Sequence, residues 1–205
     1  ELYKDIAEEL GVIVPFLRPK SLSTDKSNEI DAWKHIIQYL NNKNEFFDIF
    51  MCVPVVSPLK NSILIESCLD KFLGNNYDYL TTVVKSDCNP YWNLLREKDN
   101  NLEIFDNSKI SLNNRQSFED LYKETTVTFI SKPNIILNIN NNPYDSNLKI
   151  GYYEVKSDEG LDIDTEMDFE IAEFVHKKNI CKNMNFSIFN EMLLNNKTAI
   201  ITGGL

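Results

Sequence analysis

Apolar positions along this chain follow two rhythms, one helical and one extended. Leu2, Ile6, Ala7 and Leu10 share a face at helical spacing and predict a helix over residues 2–10, stopped by Gly11. Val12 to Val14 is a short apolar run that reads as a strand. A loop from Pro15 to Pro19 follows, carrying Arg18. Ile30, Trp33, Ile37 and Leu40 form the buried stripe of a second helix over 27–40, with Asp25 or Ser27 as its cap. The stretch from Asp48 to Val56 is nearly all apolar, as a central strand covered on both faces must be, and it ends at Ser57-Pro58-Leu59-Lys60. Ile63 to Leu73 reads as a helix capped by Gly74, and Tyr79 to Val84 as the next strand.

From Lys85 to Gln116 the chain is polar, rich in asparagine and without clear rhythm. Order returns with strands over 125–130 and 150–155 and a helix over 165–177. Thr165 and Asp168 stand at the spacing of a capping box at the start of that helix. Strands alternating with helices predict an α/β fold, a parallel or mixed sheet with helices on its faces. We divide the chain into a main domain over 1–178, a linker over 179–196, and a new pattern over 197–205 that runs from an apolar strand into Gly203-Gly204. The ends, Glu1 and Leu205, read as cuts from a longer polypeptide.

Composition narrows the partners. Hydrophobic residues make up 42% of the 205, enough for a packed core. Lys and Arg number 21 against 31 Asp and Glu, a net charge of -10, which argues against a nucleic-acid partner while leaving room for a local basic pocket holding a small anion. Cys52, Cys68, Cys88 and Cys181 form no Cys-x-x-Cys pair and read as reduced, mostly core thiols of a cytoplasmic protein. No apolar run approaches the roughly 20 residues that span a bilayer, and no signal peptide is present, so no membrane role is expected.

Chemistry concentrates in a few segments. In Gly160-Leu161-Asp162-Ile163-Asp164-Thr165, two carboxylates stand two residues apart before a helix start. In an extended segment they share a side and can converge on one hard cation. Magnesium is usually held by one or two carboxylates plus substrate phosphates, which points to a nucleoside triphosphate. The same residues also serve as turn and cap groups on a solvated edge. Arg18, stiffened by Pro15 and Pro19, is presented either for bidentate binding of an anion or as a surface arginine beside a hydrophobic anchor. Ser57 and Lys60 follow a central strand, where ligands of open α/β sheets bind, and where a strand-to-helix turn needs them equally. Asn89, Tyr91 and Trp92 offer either a sugar-stacking wall or plain packing. Arg115, with Gln116 beside it, is a cation among polar neighbours that either meets an anionic sugar or sits exposed in a loop.

In this order and spacing, Phe16-Leu17-Arg18-Pro19 with Leu22-Ser23-Thr24-Asp25, Ser57-Pro58-Leu59-Lys60, Asn89-Pro90-Tyr91-Trp92, Arg115-Gln116 and Asp162-Ile163-Asp164-Thr165 with Asp168-Phe169 resemble the acylneuraminate cytidylyltransferases, the CMP-sialic acid synthetases, over roughly residues 1–175. The resemblance implies a three-layer, Rossmann-like nucleotidyltransferase fold with a mixed, mainly parallel sheet, and a homodimer. It implies transfer of CMP from CTP to a nine-carbon 2-keto sugar acid with release of pyrophosphate and with magnesium as cofactor. By motif, Asp162 and Asp164 become the metal carboxylates. Arg18, Asp25, Ser57, Lys60, Asn89, Tyr91, Arg115 and Gln116 line the catalytic, nucleotide and sugar pockets.

Two departures qualify the match. Members that use sialic acid commonly show Gln-Pro-Thr-Ser-Pro-Leu-Arg where this chain has Pro54-Val55-Val56-Ser57-Pro58-Leu59-Lys60, so it looks more like members acting on legionaminic or pseudaminic acid. The family also opens with a strand and a Gly- and Lys-rich phosphate loop, and this sequence starts past the corresponding point. The 205 residues alone are therefore expected to turn over poorly. Asn196 to Gly204 resembles the first strand and glycine turn of a short-chain dehydrogenase/reductase, which implies a fused reductase domain. The alternatives are a nucleotidyltransferase for another keto-sugar acid, such as 3-deoxy-manno-octulosonate, and a non-catalytic assembly module on the same fold.

Overall fold

The structure, a computed structural model, describes residues 2–106, 108, 119–140, 142–145, 147–182 and 199–202. Four helices and five strands position the site. Strand β1, Ile49–Cys52, is buried at every position, as its unbroken apolar run requires. Strands β2, Tyr79–Lys85, and β5, Tyr122–Ser131, are likewise buried over most of their length. With β6, Ile150–Glu154, and β7, Ala199–Thr202, they form one sheet in the order β6-β2-β5-β1-β7. Strands β2 and β6 run parallel, as do β1 and β7, and β5 is antiparallel to both β1 and β2. Four of the five strands therefore point the same way. The sheet is mixed and mainly parallel by strand direction.

Helices cover both faces, giving three layers. On one face Ile49, Met51, Leu80, Val127 and Ile130 pack against Leu64, Ile65, Cys68, Leu69 and Phe72 of helix α3, Ser62–Asn75. On the other, Phe50, Tyr79 and Phe129 meet Ile30, Trp33 and Ile37 of helix α2, Glu29–Asn42, and Ile136 of helix α4, Pro133–Asn138. Trp33 lies 5.6 Å from the Phe50 ring and 5.5 Å from Phe129. Each such large apolar side chain contributes about 1.5–3 kcal/mol when fully buried.

Element boundaries differ from the sequence reading for identifiable reasons. Helix α2 is capped by Asn28, whose Oδ1 accepts the Ile30 N–H at 2.9 Å, and not by Asp25 or Ser27. Ser27 is engaged by its own turn, accepting the Thr24 N–H at 3.0 Å. Strand β1 stops at Cys52, shortly before Pro54, which has no N–H to offer a ladder. Helix α3 runs through Gly74 and ends instead at Asn76, which takes the left-handed conformation at φ 48°. Val12 to Val14 makes no strand, and Ile13 is 89% exposed. The first helix, α1, Leu2–Glu9, forms as predicted but buries no residue.

Within the polar stretch lies a hairpin, β3, Leu95–Lys98, with β4, Asn101–Ile104. Its turn residues Asp99 and Asn100 both have positive φ, 51° and 59°, as a two-residue turn matched to strand twist demands. The last long helix, α5, Glu166–Lys182, starts one residue after the position predicted. Residues 179–182 of the predicted linker continue α5, and the rest of it lies outside the described residues. Of the segment read as a reductase start, Ala199–Thr202 is described, as β7 on the edge of this same sheet.

Candidate active site

The carboxyl ends of β1, β2 and β6 share one edge of the sheet with the amino end of β5, where Tyr122 pairs with Lys85. Three segments distant in sequence meet there: the turn after β1, the first residues of β5, and the loop after β6. Two local features bring them together. The loop after β6 folds back so closely that a Cβ on Gly160 would stand 2.9 Å from both Val84 Cγ1 and Thr125 Cγ2, so glycine is required by space. Strand β5 also carries a large bulge. From Leu80 to Thr82 of β2 is two steps, while their partners run from Ile130 to Thr125, five steps on β5. Bulges next to active sites re-aim side chains. Here the bulge releases Thr126 from the ladder with β2.

The centre of the edge is Asp162. Ser57, fully buried, donates its hydroxyl to Asp162 Oδ1 at 2.5 Å, and Thr126 Oγ1 donates to the same oxygen. The two hydroxyl oxygens are 2.7 Å apart. The neighbouring Ile163 N–H donates to the Val56 carbonyl at 2.9 Å, fastening the loop to the turn after β1. Lys60 curls into that turn, donating to Ser57 O at 2.8 Å and to Pro54 O. Burial pushes its ammonium down to about 8, with Cys52 and Asp162 opposing that shift. Asp164 is exposed, and its N–H donates to Asp168 Oδ2 at 3.3 Å. Asp168 completes the capping box predicted for α5: its carboxylate accepts the Thr165 N–H at 2.8 Å and hydroxyl at 2.7 Å. The Thr165 hydroxyl bond is the main cause that holds Asp168 below the ordinary carboxylate range.

The other candidates surround this centre at different distances. Arg18 is partly buried, and its charge acts on Glu29, the first residue of α2. Cys52, at the carboxyl end of β1, donates its thiol to Glu29 Oε1 at 3.7 Å. Desolvation raises the Glu29 carboxyl above its usual value, while Cys52, Trp33 and Arg18 act in the opposite direction. Lys60, Ser57 and Asp162 thus meet at the end of β1, while Arg18 acts on Glu29. Asp25 is exposed in the turn before α2. Asn89 and Tyr91 lie in the loop beyond β2. Asn89 is occupied with shaping that loop: its Oδ1 accepts the Tyr91 N–H at 2.9 Å, and its own N–H donates to Asn93 Oδ1 at 2.5 Å. Arg115 and Gln116 lie outside the described residues.

Sequence reasoning missed Thr126 as a site residue. Its signal was a run of threonines in an otherwise apolar strand, Thr125-Thr126-Val127-Thr128, where three hydroxyls require partners inside a sheet. Thr125 finds Thr82 Oγ1 at 2.9 Å and Thr128 finds Cys52 O at 2.9 Å, leaving Thr126 facing Ser57 and Asp162. It also missed Glu124, whose carboxylate accepts the Thr81 hydroxyl at 2.7 Å and the Tyr144 hydroxyl at 2.5 Å. Clefts of about 190 and 340 Å³ border α4, at Leu148 and at Asp48 respectively, and neither is lined by Asp162, Ser57 or Lys60.

Asp162 and Asp164 are the carboxylates at this edge that could hold a hard divalent cation. All described hydrogen bonds of the Asp162 side chain fall on Oδ1, leaving Oδ2 as a possible cation ligand, and Asp164 adds an exposed carboxylate. Among the described residues no group of three or more His, Cys, Asp or Glu converges. A cation here would complete its shell with water and phosphate oxygens, as magnesium commonly does. No helix among the described residues is long and apolar enough to cross a membrane.

The α/β fold of this chain also occurs in a solved structure. It matches the crystal structure of 4-diphosphocytidyl-2C-methyl-D-erythritol synthase from Anaerococcus prevotii with a TM-score of 0.57 at 12% identity, covering 86% of this chain and 76% of that one. The sequence relatives are narrower in kind. The chain is 27% identical over 176 residues to post-translational flagellin modification protein B of Campylobacter coli, covering 84% of this chain and 72% of the relative. It is 23% identical over 181 residues to a pseudaminic acid cytidylyltransferase of Campylobacter jejuni, covering 85% and 74%. It is 25% identical over 173 residues to a CMP-N,N'-diacetyllegionaminic acid synthase of Campylobacter jejuni, covering 83% and 71%. No protein-family model matches the chain. The resemblance to the sialic-acid-type cytidylyltransferases holds, at low identity, across more than four fifths of the sequence.

Proposed function

We propose that this protein transfers CMP from CTP to a sialic-acid-like nine-carbon 2-keto sugar acid of the pseudaminate or legionaminate type, releasing pyrophosphate. The observation that carries the reading is the meeting of Ser57, Thr126 and Asp162 at the carboxyl edge, where open α/β sheets bind ligands. The names of the pseudaminic and legionaminic relatives support the choice of CTP and of the acid.

In this reading Asp162 and Asp164 hold magnesium, which when bound neutralises triphosphate charge. Arg18 and Lys60 supply fixed positive charge beside the nucleotide, the Lys60 ammonium being held by two carbonyls of its own turn. Asp25, Asn89, Tyr91, Arg115 and Gln116 belong to the walls of the nucleotide and sugar pockets. The anomeric hydroxyl oxygen of the acid attacks the α-phosphorus and gives up its proton. A new oxygen–phosphorus bond forms as the α–β phosphoanhydride bond breaks, and pyrophosphate leaves. Catalysis is mostly positioning and charge stabilisation, as in other phosphoryl transfers. We take the protein to work in the cytoplasm as a homodimer.

The test is CMP-sugar formation by the full-length protein, with whatever sequence flanks these residues in the gene, given CTP, magnesium and a panel of keto-sugar acids. Pseudaminate or legionaminate should be converted fastest. Preference for 3-deoxy-manno-octulosonate would overturn the sugar assignment, and inert CTP with every acid would overturn the activity.

A further inference from the structure

We infer that Thr126 is the positioning residue of this site: it holds the Asp162 carboxylate in one orientation, Oδ1 inward and Oδ2 open to a cation. The inference deepens the reading given under Proposed function and rests on it for the role of Asp162.

A carboxylate on a loop can turn about its last torsion and present either oxygen. Asp162 is prevented from doing so by two hydroxyls that converge on a single oxygen from different elements, Ser57 from the turn after β1 and Thr126 from β5. The separation of the two hydroxyl oxygens, 2.7 Å, makes a notch that fits one acceptor. Ser57 alone would leave the carboxylate held from one side. Thr126 closes the other side only because the β5 bulge takes it out of register with β2. Its branched Cβ restricts χ1, so the hydroxyl direction is fixed by the strand and not by the ligand. Groups that orient a metal-binding side chain in this way tune affinity without touching the metal.

The test uses Mn²⁺ alone as the probe, titrated into the 205-residue chain and followed by its paramagnetic resonance signal. Valine keeps the shape of Thr126 and removes the donor, and serine keeps the donor. Thr126→Val should weaken Mn²⁺ binding about tenfold, while Thr126→Ser stays within about threefold of the parent. In the full-length protein Thr126→Val should lower kcat about 10- to 100-fold with little change in KM for CTP, and Thr126→Ser should restore most of it. Unchanged Mn²⁺ affinity in Thr126→Val, equal loss in both variants, or no Mn²⁺ binding by the parent would overturn the inference. A parent that binds Mn²⁺ with the expected order of variants but leaves CTP intact would support the positioning role and strike the proposed activity alone.

Discussion

Asp162 shows how a short polar residue becomes a site. Its position in an Asp-x-Asp pair is visible in the sequence, but its partners stand 105 and 36 residues away. Ser57 was found because it follows an apolar strand, whereas Thr126 depends on a bulge that no alternation of apolar and polar residues announces. Lys60 offers a test at this scale. Folding lowers its ammonium from 10.5 to about 8, so between those values the unfolded chain holds a proton that the folded chain has lost. The penalty of burying this charge is complete below about 8 and is relieved as pH climbs toward 10.5. In urea unfolding, the parent should gain stability relative to Lys60→Met as pH rises from about 8 to 10.5. Parallel pH profiles for the two proteins would show that Lys60 is not desolvated.

At the scale of elements, helices with a buried stripe were legible and their ends were not. The stripe Ile30, Trp33, Ile37 and Leu40 is buried throughout, as its spacing demands. The cap fell on Asn28, because Asp25 and Ser27 sit in the preceding turn, where Ser27 and Thr24 bond each other at 2.9 Å. Asn28→Ala should therefore cost about 1 kcal/mol, read as a shift in the urea midpoint at unchanged slope, while Asp25→Ala should leave the midpoint in place. A larger loss at Asp25 would restore the cap read from sequence. The hairpin of β3 and β4 escaped notice because its strands are short and largely exposed, so only Asp99-Asn100 marks it. Val12 to Val14 misled in the other direction: a short apolar run carries no information about whether a partner strand is at hand.

For the molecule as a whole, the layer order was readable and the sheet's one reversal was not. Continuous apolar runs at β1 and β2 require cover on both faces, and α3 on one side with α2 and α4 on the other provide it. The antiparallel β5 sits between parallel pairs, because a strand entering from the long loop after β2 begins at the carboxyl edge and must run back. That reversal is what brings the start of β5 to the ends of the other strands and completes the site. The candidate site is thus an edge built by topology, with side chains drawn from segments that no local motif unites.

The most direct test of the account is acid-dependent pyrophosphate release from CTP by the full-length protein, measured beside Asp164→Asn. Release should require both CTP and a nine-carbon 2-keto sugar acid, and Asp164→Asn should slow it by about a hundredfold at an unchanged melting temperature. Release by Asp164→Asn at the parental rate would contradict the carboxylate assignment at the centre of this account.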